Sequence, residues 1–292
     1  MSYEQRTTPF GPSGAAALAE REHPVGTGSR ARTVRAHRET VQRVIRTMRQ
    51  RFGEPLSLDD MARVAHSSPY HFSRVFRRVT GASPVQYLAA VRLEAAKRLL
   101  LTTPFSVASV CFEVGYNSVG TFTTLFTALV GVSPRRLRRM DEGALECVLR
   151  SLPDLVEGGI TAPAARSAVQ VRAPADFAGP VFVGLFREAI PRGRPAACAV
   201  LDGPGTAFLP PVPDGRYHLF AAGLARADGL VDAVVCAGAL RASGGRVVAS
   251  GGAIRVAALT LRPGEPTDPP LLPALPCLLE ERLARGRAPV PA

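Results

Sequence analysis

The chain has 292 residues and very little lysine: Lys97 is the only one, so arginine supplies almost all the positive charge. The five cysteines, Cys111, Cys147, Cys198, Cys236 and Cys277, are scattered, odd in number and never spaced Cys-x-x-Cys. That excludes a disulfide framework and the usual zinc-ligand spacing, and reads as reduced, structural thiols. No stretch approaches the roughly 18 uninterrupted apolar residues of a membrane span. The N-terminus lacks the apolar core of a signal peptide, so a cytoplasmic chain with no membrane partner is expected. Histidine is scarce, and His218 is the only one after residue 71. No nucleophile, histidine and acid come together in the pattern, so no catalytic residue, metal or cofactor is expected and the chain reads as a non-enzyme. Gly203-Pro204-Gly205 is not followed by the Lys-Ser/Thr helix start that a phosphate loop requires.

What the chain does have is one phrase written twice. His71-Phe72-Ser73-Arg74-Val75-Phe76-Arg77-Arg78-Val79-Thr80-Gly81-Ala82-Ser83-Pro84 returns 50 residues later as Thr121-Phe122-Thr123-Thr124-Leu125-Phe126-Thr127-Ala128-Leu129-Val130-Gly131-Val132-Ser133-Pro134. In each copy two phenylalanines four apart share one helical face. A glycine follows where the helix would stop. Ser-Pro then supplies an N-cap and a proline suited to the first turn of the next helix. Face, stop and restart are kept together, which identifies two copies of one small helical unit.

Charge falls on the same region. The net charge is +12, and residues 41–139 carry 14 Arg and 1 Lys against 5 acids, or 15 − 5 = +10. Residues 140–292 carry 15 Arg against 15 acids and are neutral. A localised basic excess is the electrostatic footprint of a surface that binds a polyanion.

Residues 1–40, rich in Gly, Pro, Ser and charge, read as a disordered tail. From Val41 the apolar spacing Val41, Val44, Ile45, Met48 is helical. Ser57-Leu58-Asp59-Asp60 is a capping box with Asp in the fourth place. The spacing then predicts a helix over about 69–79, a long one over 84–101, others over 107–114 and 118–129, and a short basic one after Ser133-Pro134. Residues 140–165 read as a linker with one helix near 141–151. Beyond it the texture becomes short β-rich runs separated by Gly/Pro turns: Val169–Arg172, Pro180–Phe186, Ala196–Leu201, Thr206–Leu209, Arg216–Ala222, Asp232–Leu240, Gly245–Ala249 and Ala253–Leu261. A proline-rich strap, Pro263–Pro273, and a closing helix, Leu275–Arg285, follow. The fold class expected is α + β in separate domains: an all-α domain at 41–139 and an all-β, sandwich-like domain at 166–285, folding independently of it.

The 41–139 segment resembles the AraC/XylS-type DNA-binding domain. The resemblance rests on Leu58-x2-Met61-Ala62, Tyr70-His71-Phe72-x3-Phe76, Gly81-x-Ser83-Pro84, Tyr87-Leu88-x3-Arg92-Leu93-x2-Ala95-Ala96-x2-Leu99-Leu100, Val114-Gly115-Tyr116-x-Ser118 and Phe122-x3-Phe126-x4-Gly131-x-Ser133-Pro134. It implies seven helices in two helix-turn-helix units held apart by the long helix at 84–101. Segments around 179–217 loosely resemble a transthyretin-like or immunoglobulin-like sandwich. In many AraC-like regulators the sensor precedes the DNA-binding domain; here the order is reversed.

The resemblance implies a sequence-specific transcription regulator that places two recognition helices in successive major grooves of double-stranded promoter DNA. On the first recognition helix it puts Tyr70, Ser73 and Arg74 at base-contact positions and Arg77 at a phosphate-facing one, with Arg78 beside it. Arg74 has the geometry to grip guanine O6 and N7 together. The second helix presents Val119, Thr121 and Thr124, uncharged residues suited to thymine methyls and phosphates, so weaker base readout is expected from it. Arg135 and Arg136, just beyond, are expected on the backbone. RNA polymerase, and a small-molecule effector or protein partner at the C-terminal domain, are the further partners such a regulator implies, in a cytoplasmic, nucleoid-associated setting. Two other readings stand beside it: a nonspecific architectural DNA-binding protein, and an effector-binding or enzymatic β-domain with a helical scaffold.

Overall fold

A computed structural model describes residues 27–151, 167–225, 229–255 and 258–286. The first helix, α1 (Thr27–Gln50), begins well before Val41. The expected tail at 1–40 is therefore corrected from Thr27 onward; residues 1–26 lie outside the described residues. Six of the 14 residues 27–40 are Arg or Ala, strong helix formers, and helix propagates cheaply once a nucleus exists. From Val41 the helix has a buried face of Val41, Val44, Ile45 and Met48.

Six more helices follow as the repeat predicts: α2 (Leu58–Val64), α3 (Pro69–Thr80), α4 (Pro84–Thr102), α5 (Val107–Glu113), α6 (Val119–Val130) and α7 (Pro134–Leu137). Each of α2 to α7 opens on a serine whose hydroxyl accepts a backbone N–H of the first turn, at Ser57, Ser68, Ser83, Ser106, Ser118 and Ser133. Ser57 and Asp60 form the capping box, and the bonds from Ser57 hold the Asp60 carboxyl down at about 2. Helices α3 and α6 both stop on a left-handed glycine, Gly81 at φ 79° and Gly131 at φ 92°, a conformation a side chain would strain.

Helix α8 (Glu142–Arg150) precedes the β-rich half, where β1 (Ser167–Arg172), β2 (Val181–Phe186), β3 (Ala197–Leu201), β4 (Gly205–Leu209) and β5 (Gly215–Gly223) fall on the predicted runs. Asp232–Leu240 is corrected: it is not a strand but a helix, α9 (Leu230–Val235), and a turn. Its Val-rich composition reads as β, yet Leu230, Ala233, Val234 and Val235 are all buried, and tertiary packing overrides so weak a propensity. The predicted run over Ala253–Leu261 is two short strands, β7 (Ala253–Ile254) and β8 (Ala258–Thr260), after the long β6 (Leu240–Ser250). Helix α10 (Leu275–Gly286) closes the described chain.

The strands form a three-stranded sheet, β4-β1-β8, and a five-stranded sheet, β3-β2-β5-β6-β7. All pairings are antiparallel except β1 with β8. Val169, Val171, Ala207 and Leu259 of the first sheet meet Val183, Leu185, Tyr217 and Leu219 of the second in one buried cluster, which makes a sandwich. Strand β2 is buried along its whole length because it serves two cores. Val181, Val183 and Leu185 enter the sandwich, whereas Phe182 faces away into a second cluster with Ala222 and Leu224.

That second cluster joins the two halves. The first helical unit closes on its own core of Ile45, Met48, Met61, Phe72, Phe76, Tyr87 and Val91. The core of the second unit, with Phe122, Phe126, Val130 and Leu137, runs on without a break into Phe182, Leu230, Val234, Leu271, Leu272 and Cys277. The described residues from His37 on form one compact unit. Helix α4 lies at its centre. Tyr87, Leu88, Ala90, Val91, Leu93, Ala96, Lys97 and Leu100 are buried and occupy more than one face, as expected of a helix surrounded by packing.

Polar groups pin the same junction. The Tyr87 hydroxyl donates to the Asp268 carbonyl at 2.8 Å. Burial pushes that phenol up to about 12. The Lys97 ammonium position is fully buried, and its Nζ donates to the carbonyls of Val234 and Leu271, both at 2.8 Å. Glu142 at the start of α8 accepts the Leu230 N–H at 3.0 Å and so caps α9.

Candidate nucleic-acid interface

Helices α3 and α6 are copies in exposure as well as sequence. At offset 50 each position has the same burial class, except Val75 against Leu125. Phe72 and Phe76, like Phe122 and Phe126, are almost fully buried. Each pair packs ring against ring, with centroids 5.5 and 5.6 Å apart. These anchors turn the opposite face of each helix outward.

On α3 that face holds Tyr70, His71, Arg74, Arg77 and Arg78, all exposed, with Ser73 half-buried. Tyr70 is 80% exposed, unusual for an aromatic side chain and available for a partner. Arg74 Nη2 lies 3.4 Å from His71 Nδ1. Among the described residues no acid pairs with Arg74, Arg77 or Arg78. On α6 the matching face is Gly120, Thr121, Thr124, Thr127 and Ala128, exposed and uncharged, with Val119 half-buried at the first turn. Thr124 thus stands where Arg74 stands in the first copy.

Two contacts fix one unit relative to the other. Arg92 on α4 donates to the carbonyls of Phe52 and Glu54, each at 2.8 Å, and its guanidinium sits 5.8 Å from the Tyr116 ring centroid. A side chain on Gly53 would lie 2.6 Å from the Glu113 carbonyl oxygen, so the loop after α1 meets the end of α5 backbone to backbone.

Arg135 and Arg136 have different surroundings. Arg135 is exposed, and no acid pairs with it among the described residues. Arg136 pairs with Glu280 at 3.2 Å and Glu281 at 2.9 Å, both on α10. Sequence reasoning did not foresee those acids, because they lie more than a hundred residues away with no local signal. Nor did it foresee that the C-terminal half clasps the end of α6. The Leu129 carbonyl accepts the Gly193 N–H at 2.6 Å and the Val130 carbonyl accepts the Ala274 N–H at 3.0 Å. Two carbonyls left over at the helix end are thereby satisfied.

Two helix-turn-helix units on one strut, each with an apolar anchor face and an exposed second helix, define a double helix-turn-helix domain. Residues 61–140 match the helix-turn-helix domain family. The transcriptional activator AarP of Providencia stuartii is 32% identical over 94 residues, which is 32% of this chain and 70% of that protein. The chain belongs to the AraC-type helix-turn-helix family. The bifunctional transcriptional activator/DNA repair enzyme AdaA of Bacillus subtilis is 34% identical over 104 residues, 36% of this chain and 49% of that protein. The chain spans between about a third and a half of the length of several curated relatives it matches. A solved AraC-type transcriptional regulator from Chromobacterium violaceum is 27% identical, covering 34% of this chain and 89% of that one, with a TM-score of 0.34. Among the described residues no helix is long and apolar enough to cross a membrane.

Proposed function

We propose that this protein is a sequence-specific, non-enzymatic transcription regulator that lays α3 and α6 in successive major grooves of promoter DNA. The observation that carries the reading is the equivalence of the two helices, each anchored by buried phenylalanines and exposed on the opposite face, within a region of net charge +10. A helix fits the major groove, and grooves on one side of the duplex recur about every 34 Å. Two units in one chain suit a non-palindromic site. In this reading Tyr70, Ser73 and Arg74 read bases, Arg77, Arg78 and Arg135 neutralise phosphates, and Val119, Thr121 and Thr124 make apolar and backbone contacts. Arg136 is held by α10 and reaches DNA only when that pairing loosens. RNA polymerase is a further partner expected of such a regulator.

Selection of bound duplexes from a random pool with the full chain tests this. An asymmetric consensus, with more information in the half facing α3, is expected. The uncharged outward face of α6 favours one competitor, a nonspecific architectural protein. A pool that yields no consensus, with affinity following salt alone, establishes that competitor instead. A regulator keeps a preference of roughly 10³ or more over random sequence.

A further inference from the structure

The β-rich half holds a cavity of about 300 Å³ on the outer face of the five-stranded sheet, opposite the sandwich core. Its floor is Phe182, Phe186, Val200 and Phe220, and its roof is Leu275 and Leu279 of α10. Phe186 and Phe220 meet edge to face, with centroids 6.0 Å apart. The volume lies at the small end of the ligand-pocket range, about 300–1,000 Å³, enough for a compact ring system.

The two charged side chains at the wall, Arg194 and Glu281, are paired with each other, and Glu281 also holds Arg136. The Glu281 side chain is only 14% exposed. A charged ligand would have to break these pairs and strand the largely buried Glu281 carboxylate, which is costly. A neutral apolar ligand leaves it intact and takes the space between the phenylalanines and leucines.

Roof and wall are also the parts that grip α6. Leu278 lines the cavity and packs on Gly131, where an added Cβ would lie 3.1 Å from its Cδ2. Ala274, whose N–H holds the Val130 carbonyl, lies between Pro273 and Leu275 of the lining. We propose that this cavity is an effector site for a neutral, apolar, ring-bearing small molecule, and that its occupancy is passed through α10 to the end of α6 and to Arg136. The effector role rests on the DNA-binding reading above; the binding site does not.

The probe is N-phenyl-1-naphthylamine, neutral and fluorescent in apolar surroundings, titrated into the full chain. Saturable enhancement with one site per chain is expected. Val200→Phe fills the cavity and should weaken probe binding at least tenfold while leaving thermal unfolding unchanged. Should that variant not fold, alkylation of the wild-type chain decides. The bound probe should slow modification of Cys198, which lines the cavity, and leave exposed Cys147 unaffected. No saturable binding, or binding that protects neither Cys198 nor responds to Val200→Phe, overturns the site. On a duplex chosen by selection, saturating probe should change affinity at least threefold, and the duplex should change probe affinity by the same factor. Probe binding without any change in DNA affinity overturns the effector role. A chain that selects no duplex fails the DNA-binding reading while the probe and alkylation results still decide the site.

Discussion

Lys97→Met tests the junction between the halves directly. The wild-type Nζ is fully buried and has two acceptors, the carbonyls of Val234 on α9 and Leu271 in the strap. A neutral amine has two N–H donors and matches them; an ammonium has a third with no carbonyl to meet. Burial lowers the Lys97 pKa below its ordinary 10.5; of the charged or titratable groups around it, Cys236, Glu94 and Cys277 oppose that shift and Arg241 adds to it. Methionine fills a similar volume but donates nothing. Each carbonyl left buried without a donor costs about 1–3 kcal/mol, so the pair costs the Met variant about 2–6 kcal/mol relative to a wild type whose lysine is neutral in both states, and the difference is smaller at lower pH.

The pH dependence separates this from a simple packing defect. With the folded pKa below the unfolded one, the unfolded chain binds the extra proton in the window between them. Wild-type stability therefore rises with pH toward 10.5 and is lost as pH falls through the folded pKa. The slope is at most ~1.4 kcal/mol per pH unit, and the Met variant lacks it. Urea unfolding of both proteins from about pH 6.5 to 8.5 measures the gap. The stability gap should widen as pH rises. A gap that is constant with pH would falsify the reasoning, because the buried Lys97 would then still be protonated throughout that window.

The remaining expectations concern the interface and the acids behind it. Arg74→Ala should cost about 1–3 kcal/mol on the selected duplex and relax preference at one or two base positions; equal loss on all sequences would make it a phosphate contact. Exchanging Tyr70, Ser73 and Arg74 together should alter the consensus more than exchanging Val119, Thr121 and Thr124, and the reverse outcome defeats the unequal-units reading. Glu280→Gln with Glu281→Gln should free Arg136, tighten DNA binding several-fold and steepen the salt dependence by about one phosphate, whereas unchanged salt dependence rules Arg136 out as a masked contact. Burial holds the Cys277 thiol up at about 12. The unfolded thiol ionises first, so stability should fall as pH climbs past 9.0, and Cys277→Ala should reduce that fall.

The helical domain was legible because its signals are local. Ser-Pro restarts, stop glycines and phenylalanines at a spacing of four act over one or two turns, and their doubling removed ambiguity. The exposed positions of α3 and α6 followed from the same periodicity. Most strands were legible for a similar reason, since Gly and Pro punctuate them. What was hidden depends on partners far along the chain. Val234 and Val235 read as β until α4 and the strap bury them as a helix. Residues 27–40 read as a tail because no apolar stripe marks them. Glu280 and Glu281 carry no mark that they meet Arg136.

The asymmetry between the two units follows from that hidden packing. The first unit buries its phenylalanines among its own helices, which leaves α3 with no backbone tie to the C-terminal half among the described residues. The second unit shares its core with the β-rich half, and the carbonyls at the end of α6 are spent on Gly193 and Ala274. A helix so held has less freedom to settle against base edges, and its outward threonines demand less of it than arginines would. Division of labour follows in the proposed reading: α3 supplies discrimination, and α6 links groove occupancy to whatever fills the cavity behind α10. On this argument, substitutions in the roof of the cavity should change binding equally on DNA sites that differ only in the half facing α3. A roof variant that reorders preference within that half would show that the coupling runs through α4 instead.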